Sequence, residues 1–221
     1  MFTGKGKRND RVRAFLKKRA RAKAENRPKL DCENFPYLFC KQAVVFTDTA
    51  DFTTRTARDG ILHFLMIFER ATAAARKVVK QTGGEVVKVE GDSLLLRYEH
   101  PDDACRGVAE LDALLSSMNK GLPENEQVHF SYGVGYGDVL DLDDDMFGLE
   151  VNLASKLGED LAEPGEALLT PAAAAALSPA MLRRVVEHRV ITLGRSTMPV
   201  QRLKLRSGVR QKVRNPRGRR A

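Results

Sequence analysis

Two aspartates stand where short apolar strands give way to turns. Asp48 follows QAVVFT (42–47), and Asp92 lies in the Gly91-Asp92 turn between EVVKVE (85–90) and SLLLRY (93–98). If the strands that carry them are neighbours, both carboxylates point at one spot on the edge of a sheet. Carboxylates held that close repel and are hard to desolvate unless cations fill the gap. Mg²⁺ and Mn²⁺ prefer such oxygen ligands and take the rest of their shell from substrate phosphates. Two ions so held activate an attacking hydroxyl and neutralise a departing phosphate. Aspartate also favours turns for its own reasons, so either residue alone is equally a turn former. Only the pair, with the motifs that follow, points to chemistry.

The elements that must position these residues can be read from periodicity. QAVVFT reads as a β-branched, aromatic strand. From about Thr56 to Gln81 apolar residues recur at helical spacing (Ile61, Phe64, Leu65, Phe68, Ala71, Ala75, Val78), and Thr82-Gly83-Gly84 ends that helix. The two strands around Gly91-Asp92 are close enough for a β-hairpin. Pro101 opens a second helix to about Asn119. VHFSYGVGYGDV (128–139) reads as a strand with glycines where the backbone must approach something closely. A third helix runs from Gly148 to about Leu157, followed by a buried strand at 166–170, a short alanine-rich helix at 171–177, and paired strands at 184–193 and 199–205. Segment 10–25 is a basic candidate helix, which Pro28 and an NFPY turn at 34–37 separate from the body. The order implies an α+β fold, a mainly antiparallel central sheet covered by helices.

Charge divides the chain more sharply than any other property. Of 221 residues, 1–30 hold twelve Lys/Arg against two acids, and 206–221 hold seven Lys/Arg and no acid. The stretch between carries 18 bases and 27 acids, so an acidic body stands between two basic arms. Such arms are commonly solvated tails, and they also suit contact with nucleic acid or an anionic membrane surface. The expected division is a basic N-terminal extension (1–40), a catalytic-type domain (41–205) and a basic C-terminal tail (206–221). No run approaches the ~20 apolar residues of a spanning helix, and no secretory signal pattern opens the chain, so a cytoplasmic location is expected. Three cysteines without close pairing argue against a disulfide framework or a zinc site, and the four histidines are scattered.

Five runs, taken in order, are similar to the motifs of one family. FTDTADFT (46–53) resembles the first-strand signature of the class III adenylate and guanylate cyclases, and KVEGD (88–92) their Lys-x-x-Gly-Asp hairpin. YGVGYG (132–137) is similar to their glycine-spaced strand, and DMFGLEVNLASK (145–156) to their Asp-x-x-Gly-x-x-Val-Asn-x-Ala-Ser-Arg stretch. LGR (193–195) resembles their late hairpin. The resemblance covers roughly 42–205 and implies a ferredoxin-like, palm-type fold. It implies conversion of a nucleoside triphosphate, with ATP favoured, to a 3′,5′-cyclic nucleotide and pyrophosphate. It implies Asp48 and Asp92 as ligands of two Mg²⁺ or Mn²⁺ ions per site, and Lys88 with Asp145 as readers of the base. Phe52 and Thr53 would belong to a phosphate cradle at a helix start, and Arg195 would hold the terminal phosphates. Asn152 would position the ribose, and Lys156 would stabilise the transition state. It also implies a homodimer, because the family completes each site across two chains.

The chain departs from the family at three places. Asp51 replaces the glycine usual before Phe-Thr and adds a negative charge near the cradle. Lys156 stands where most active members have arginine, supplying charge without a planar, bidentate fork. The segment between Gly137 and Gly148 is shorter than the dimerisation arm of many members and crowded with aspartates, so Asp145 also reads as part of a solvated acidic hairpin. The sequence therefore leaves three readings beside an adenylate cyclase: a cyclase-like domain making another cyclic nucleotide, a catalytically silent nucleotide-binding module, and a nucleic-acid-binding protein on a borrowed scaffold.

Overall fold

Ala43, Val44 and Val45 are adjacent along one strand, yet all three are fully buried. A strand's side chains alternate between faces, so both faces of this strand must be covered. In the computed structural model, which describes residues 7–193 and 196–205, it is the central strand β1 (Phe39–Thr49). Antiparallel to it on one side runs β3 (Ser93–Tyr98), and on the other β4 (Phe130–Asp141). The sheet continues outward as β2 (Glu85–Glu90) beside β3. On the far side come β6 (Ala167–Leu169), β8 (Ser196–Leu203) and β7 (Val185–Leu193), giving the order β2-β3-β1-β4-β6-β8-β7. Among the described residues the β4–β6 pair alone is parallel, and a two-residue strand β5 (Met146–Phe147) folds back on β4. The sheet is mainly antiparallel with helices over it, as the order of elements implies.

One face is covered by two long helices, α4 (Ile61–Gln81) and α5 (Pro101–Met118). Phe64, Phe68, Ala71 and Ala75 of α4 and Ala104, Val108, Leu111 and Leu115 of α5 meet Val45, Leu94, Leu96 and Val134 of the sheet in one apolar cluster. On the other face the short helix α6 (Leu149–Ser155) brings Val151 and Ala154 onto Val44, Leu95 and Val139. The helix expected over 56–81 is two helices. A separate α3 (Phe52–Asp59) precedes α4, and Gly60 between them takes φ 86°, a left-handed conformation that ends one helix and reorients the chain for the next.

The N-terminal region departs furthest from its expected form. It folds as α1 (Lys7–Arg21) and α2 (Arg27–Leu38), the latter continuing through NFPY with Pro36 inside it. The turn expected at 34–37 is therefore helical: Pro36 stands within the last turn, and the Asn34 side-chain amide donates to the Leu30 carbonyl at 2.8 Å. Arg19 and Asp31 tie the two helices together through paired hydrogen bonds of 2.6 and 2.9 Å. Two short helices follow β6, α7 (Pro171–Ala175) and α8 (Pro179–Leu182), each opened by a Thr or Ser side-chain cap. Among the described residues no helix is long and apolar enough to cross a membrane.

Candidate active site

The register of the sheet places the two aspartates together. The β1–β3 ladder ends at Thr47 opposite Leu94, so the next residue, Asp48, lies beside Ser93, and Asp92 opens the hairpin turn next to it. Hydroxyls knit these strand ends. Thr49 Oγ1 donates to the Asp92 carbonyl at 2.8 Å, Ser93 Oγ donates to Asp48 Oδ1 at 3.4 Å, and Ser131 Oγ donates to the Gly158 carbonyl at 2.7 Å. Burial, then the neighbouring charges of Asp92 and Glu159, push the Asp48 carboxyl up to about 6, and burial raises Asp92. Neither makes an ion pair with a cation among the described residues. Both are thus half-buried carboxylates without a counter-charge, a state that a dication would relieve.

The donor set fits a hard cation that keeps part of its shell for substrate. Among the described residues no group of three or more His, Cys, Asp or Glu converges as a metal cage. The chain therefore offers Asp48 and Asp92 as two hard oxygen donors and leaves the remaining positions to other oxygens. This is the way Mg²⁺ is ordinarily held at phosphate-handling sites.

After Asp48 the chain turns sharply into α3. Asp51 takes φ 61°, the left-handed region, which aspartate tolerates better than most residues. This is where the sequence motif has glycine, so the replacement keeps the turn and adds a charge. The first turn of α3 has no side-chain cap, leaving its amides, those of Phe52 and Thr53 among them, without that partner. The Phe52 ring packs edge-on against Phe64 with centroids 4.7 Å apart, which anchors α3 to the core. Any role of Phe52 toward phosphate therefore falls to its backbone.

Lys88 and Asp145, 57 residues apart, are brought into contact: Lys88 Nζ donates to Asp145 Oδ2 at 3.1 Å. Lys88 also pairs with Glu90 at 2.7 Å, and the hydrogen bonds it donates to Glu90 and then Asp145 raise its pKa. Asp145 is held at its other oxygen by the Met146 amide, at 2.9 Å.

Asn152 and Lys156, both exposed, stand one helical turn apart at the end of α6, where the helix loosens into a π-turn (Lys156–Leu161). The glycine-spaced strand explains how α6 comes so close. A Cβ on Gly133 would sit 1.9 Å from the Ala154 carbonyl oxygen, and one on Gly135 2.5 Å from that of Glu150. The close approach expected of those glycines is thus to this helix. Glu150 locks the seat by accepting from the Tyr136 amide at 3.0 Å and from Thr170 Oγ1 at 2.6 Å. Lys156 pairs with Asp160.

The structure therefore gathers the expected residues into three groups: Asp48 with Asp92, Lys88 with Asp145, and Asn152 with Lys156. No hydrogen bond or ion pair among the described residues joins one group to another. Arg195 lies outside the described residues. Two acids were missed by the sequence reading. Glu159 adds its field to Asp48 from the π-turn, which no periodicity announces. Glu90 lies two residues from Lys88 on the same strand, and period two alone places it on the same face.

No protein-family model matches the chain. In sequence it is similar to an adenylate cyclase of Glutamicibacter nicotianae, with 28% identity over 168 residues, 76% of this chain and 40% of that protein. It is also 29% identical over 123 residues to an uncharacterized protein of Mycobacterium tuberculosis, which is 56% of this chain and 31% of that one. The chain spans between 21% and 40% of the length of the curated relatives it matches. Among solved structures it superposes on an adenylate/guanylate cyclase/hydrolase from Silicibacter pomeroyi with TM-score 0.58 and 23% identity, covering 74% of this chain and 95% of that one. For the guanylate cyclase domain of a protein from Catenaria anguillulae, in complex with GTP, the TM-score is 0.60 at 18% identity, covering 75% and 96%.

The fold is that of the class III adenylate/guanylate cyclase catalytic domains. The chain's motifs and its relatives named as cyclases agree with that fold.

Proposed function

We propose that this chain is a cytoplasmic nucleotide cyclase converting ATP to 3′,5′-cyclic AMP and pyrophosphate at sites shared between two copies. The observation that carries the reading is the pair of half-buried carboxylates, Asp48 and Asp92, at the ends of adjacent strands and without a counter-charge among the described residues. In the reaction the ribose 3′-oxygen bonds to the α-phosphorus in line. The bond from that phosphorus to its bridging oxygen breaks, and pyrophosphate leaves with the electron pair, while the hydroxyl proton passes to water. Little covalent chemistry falls to the protein, so positioning and charge neutralisation carry the catalysis.

Asp48 and Asp92 would hold two Mg²⁺ or Mn²⁺ ions, whose contribution when bound would be to acidify the attacking hydroxyl and offset charge on the leaving group. The amides of Phe52 and Thr53 receive phosphate oxygens at the start of α3. Lys88 donates to an adenine ring nitrogen and Asp145 accepts from its amino group. For this, substrate must displace the contact that now joins them at 3.1 Å. Asn152 orients the ribose, Lys156 meets the charge developing at the α-phosphorus, and Arg195 takes the terminal phosphates. Lys156 supplies a point charge and not a fork, and Asp51 adds a negative charge beside the cradle. Both favour a slow enzyme, and at the limit a nucleotide-binding signalling module, as the second reading.

Complementation tests the shared site. An Asp48→Ala chain and an Asn152→Ala chain, each inactive alone, are mixed at fixed total protein. A mixed dimer then carries one doubly damaged site and one intact site. Random pairing predicts recovery to about a quarter of wild-type activity. Activity that stays at background, with dimers verified by light scattering, would mean that each site is built within one chain.

A further inference from the structure

Asp145 closes a tight turn whose other end is Asp141, the last residue of β4. Inside the turn the Leu142 amide donates to the Asp145 carbonyl at 2.8 Å, the Asp144 amide to the Leu142 carbonyl at 2.8 Å, and the Asp143 amide to Asp141 Oδ1 at 3.0 Å. Asp143 takes φ 67° to make this possible. The expected acidic hairpin is therefore not simply solvated: Asp141 is 2% exposed and pairs with two guanidiniums, Arg97 of β3 and Arg8 of α1. Arg97 shares itself with Glu85 at 2.6 Å, so a full counter-charge for the buried Asp141 requires Arg8 as well. A second contact from α1 reaches the same turn, Asn9 Nδ2 donating to Asp144 Oδ1 at 3.2 Å.

We propose that α1 is a strap on the base-reading side of the site, with Arg8 and Asn9 as positioning residues that fix the 141–145 turn. Through that turn they fix the Asp145 carboxylate against Lys88. Docking of α1 then sets how well the purine base is held, while the metal and phosphate residues are untouched. This rests on the reading of Lys88 and Asp145 as the base pocket. The strap is lightly fastened. Val12 is the only buried side chain described in α1, and apart from Arg11 on the Tyr37 carbonyl and Arg19 on Asp31, which tie it to α2, its polar hold is Arg8 and Asn9 on this turn. Anything that competes for Arg8 loosens the turn that carries Asp145, which makes the N-terminal helix a place where substrate affinity can be adjusted from outside the pocket.

The test compares the full chain with its Arg8→Gln, Arg8→Lys and Asn9→Ala variants by two readouts. Amide hydrogen exchange without nucleotide is expected to speed up over 142–146 by about fivefold or more in Arg8→Gln, while the amides of β1 and β3 stay protected. The KM for ATP is expected to rise about three- to tenfold with kcat within about twofold, and Arg8→Lys is expected to recover part of the loss. Asn9→Ala should move both readouts the same way by less, and it carries the test alone if Arg8→Gln does not fold. Unchanged exchange over 142–146, or a loss confined to kcat, overturns the strap. A wild-type chain that makes no cyclic product would overturn the activity, whereas the exchange measurement would still decide whether α1 holds the turn.

Discussion

Replacing Asp48 by Asn should make the metal-free protein more stable at neutral pH while abolishing its chemistry. Burial and the charges of Asp92 and Glu159 lift the Asp48 carboxyl from 3.8 to about 6. A carboxyl whose folded pKa is raised contributes stability that is fully present below 3.8 and is lost as pH rises through about 6. Two units correspond to at most ~3 kcal/mol. Solvent screening at a half-buried position reduces this to ~1 kcal/mol. Asparagine carries no charge, keeps an acceptor for the Ser93 hydroxyl, and escapes the loss. In excess chelator at pH 7.5, Asp48→Asn should therefore unfold at higher urea than wild type by ~1 kcal/mol, worth about 2–4 °C in Tm for a chain of this size. Near pH 4 the two should coincide. Asp112, which burial also lifts to about 6, titrates in both proteins and cancels from the difference. Saturating Mn²⁺ should stabilise wild type alone and reverse the order. Urea titrations at pH 4, 5.5 and 7.5, with and without Mn²⁺, read all of this. An Asp48→Asn protein less stable than wild type at pH 7.5 in chelator would refute the reasoning, because Asp48 would then be a structural acceptor and not an uncompensated charge.

Two further outcomes follow from the site. The double change Lys88→Glu with Asp145→Cys should raise the KM for ATP steeply with little effect on Mn²⁺ binding. Each mismatched polar contact costs about 1–3 kcal/mol, roughly tenfold, and an unchanged preference for ATP would remove both residues from the base pocket. Gly133→Ala should cost about 1–3 kcal/mol in urea unfolding and lower turnover as well. Its Cβ would meet the Ala154 carbonyl oxygen at 1.9 Å and lift α6 with Asn152 and Lys156, so a fully stable variant would contradict the described seat of that helix.

Where local pattern decides structure, the sequence was readable. The hairpin strands Glu85–Glu90 and Ser93–Tyr98 fall on the expected boundaries because a two-residue turn and strand-type runs specify them together. The sheet's mainly antiparallel character followed from element order. Contacts between distant residues stayed hidden. Helix α1 is mainly basic and polar, and an ion pair from Arg8 to Asp141, 133 residues away, helps fasten it to the body. No window of sequence carries that pairing. The break at Gly60 was masked by apolar spacing that runs on beyond it, and β5 is too short to show a period. At the site, Asp48 with Asp92 could be argued from chemistry, and the family resemblance supplied Lys88, Asp145, Asn152 and Lys156. Glu159 was out of reach, since it nears Asp48 only through the π-turn that follows α6.

Whether the chain cyclises a nucleotide is decided by a single incubation. Purified chain is incubated with Mn²⁺ and each of ATP, GTP, CTP and UTP in turn, and the products are identified by mass. The expected product is 3′,5′-cyclic AMP with pyrophosphate released in equal amount, produced from ATP in preference to the other three and lost in Asp92→Ala. A cyclic product from GTP or a pyrimidine nucleotide alone would contradict the roles given to Lys88 and Asp145. No cyclic product from any of the four, by a folded protein, would contradict the cyclase reading as a whole.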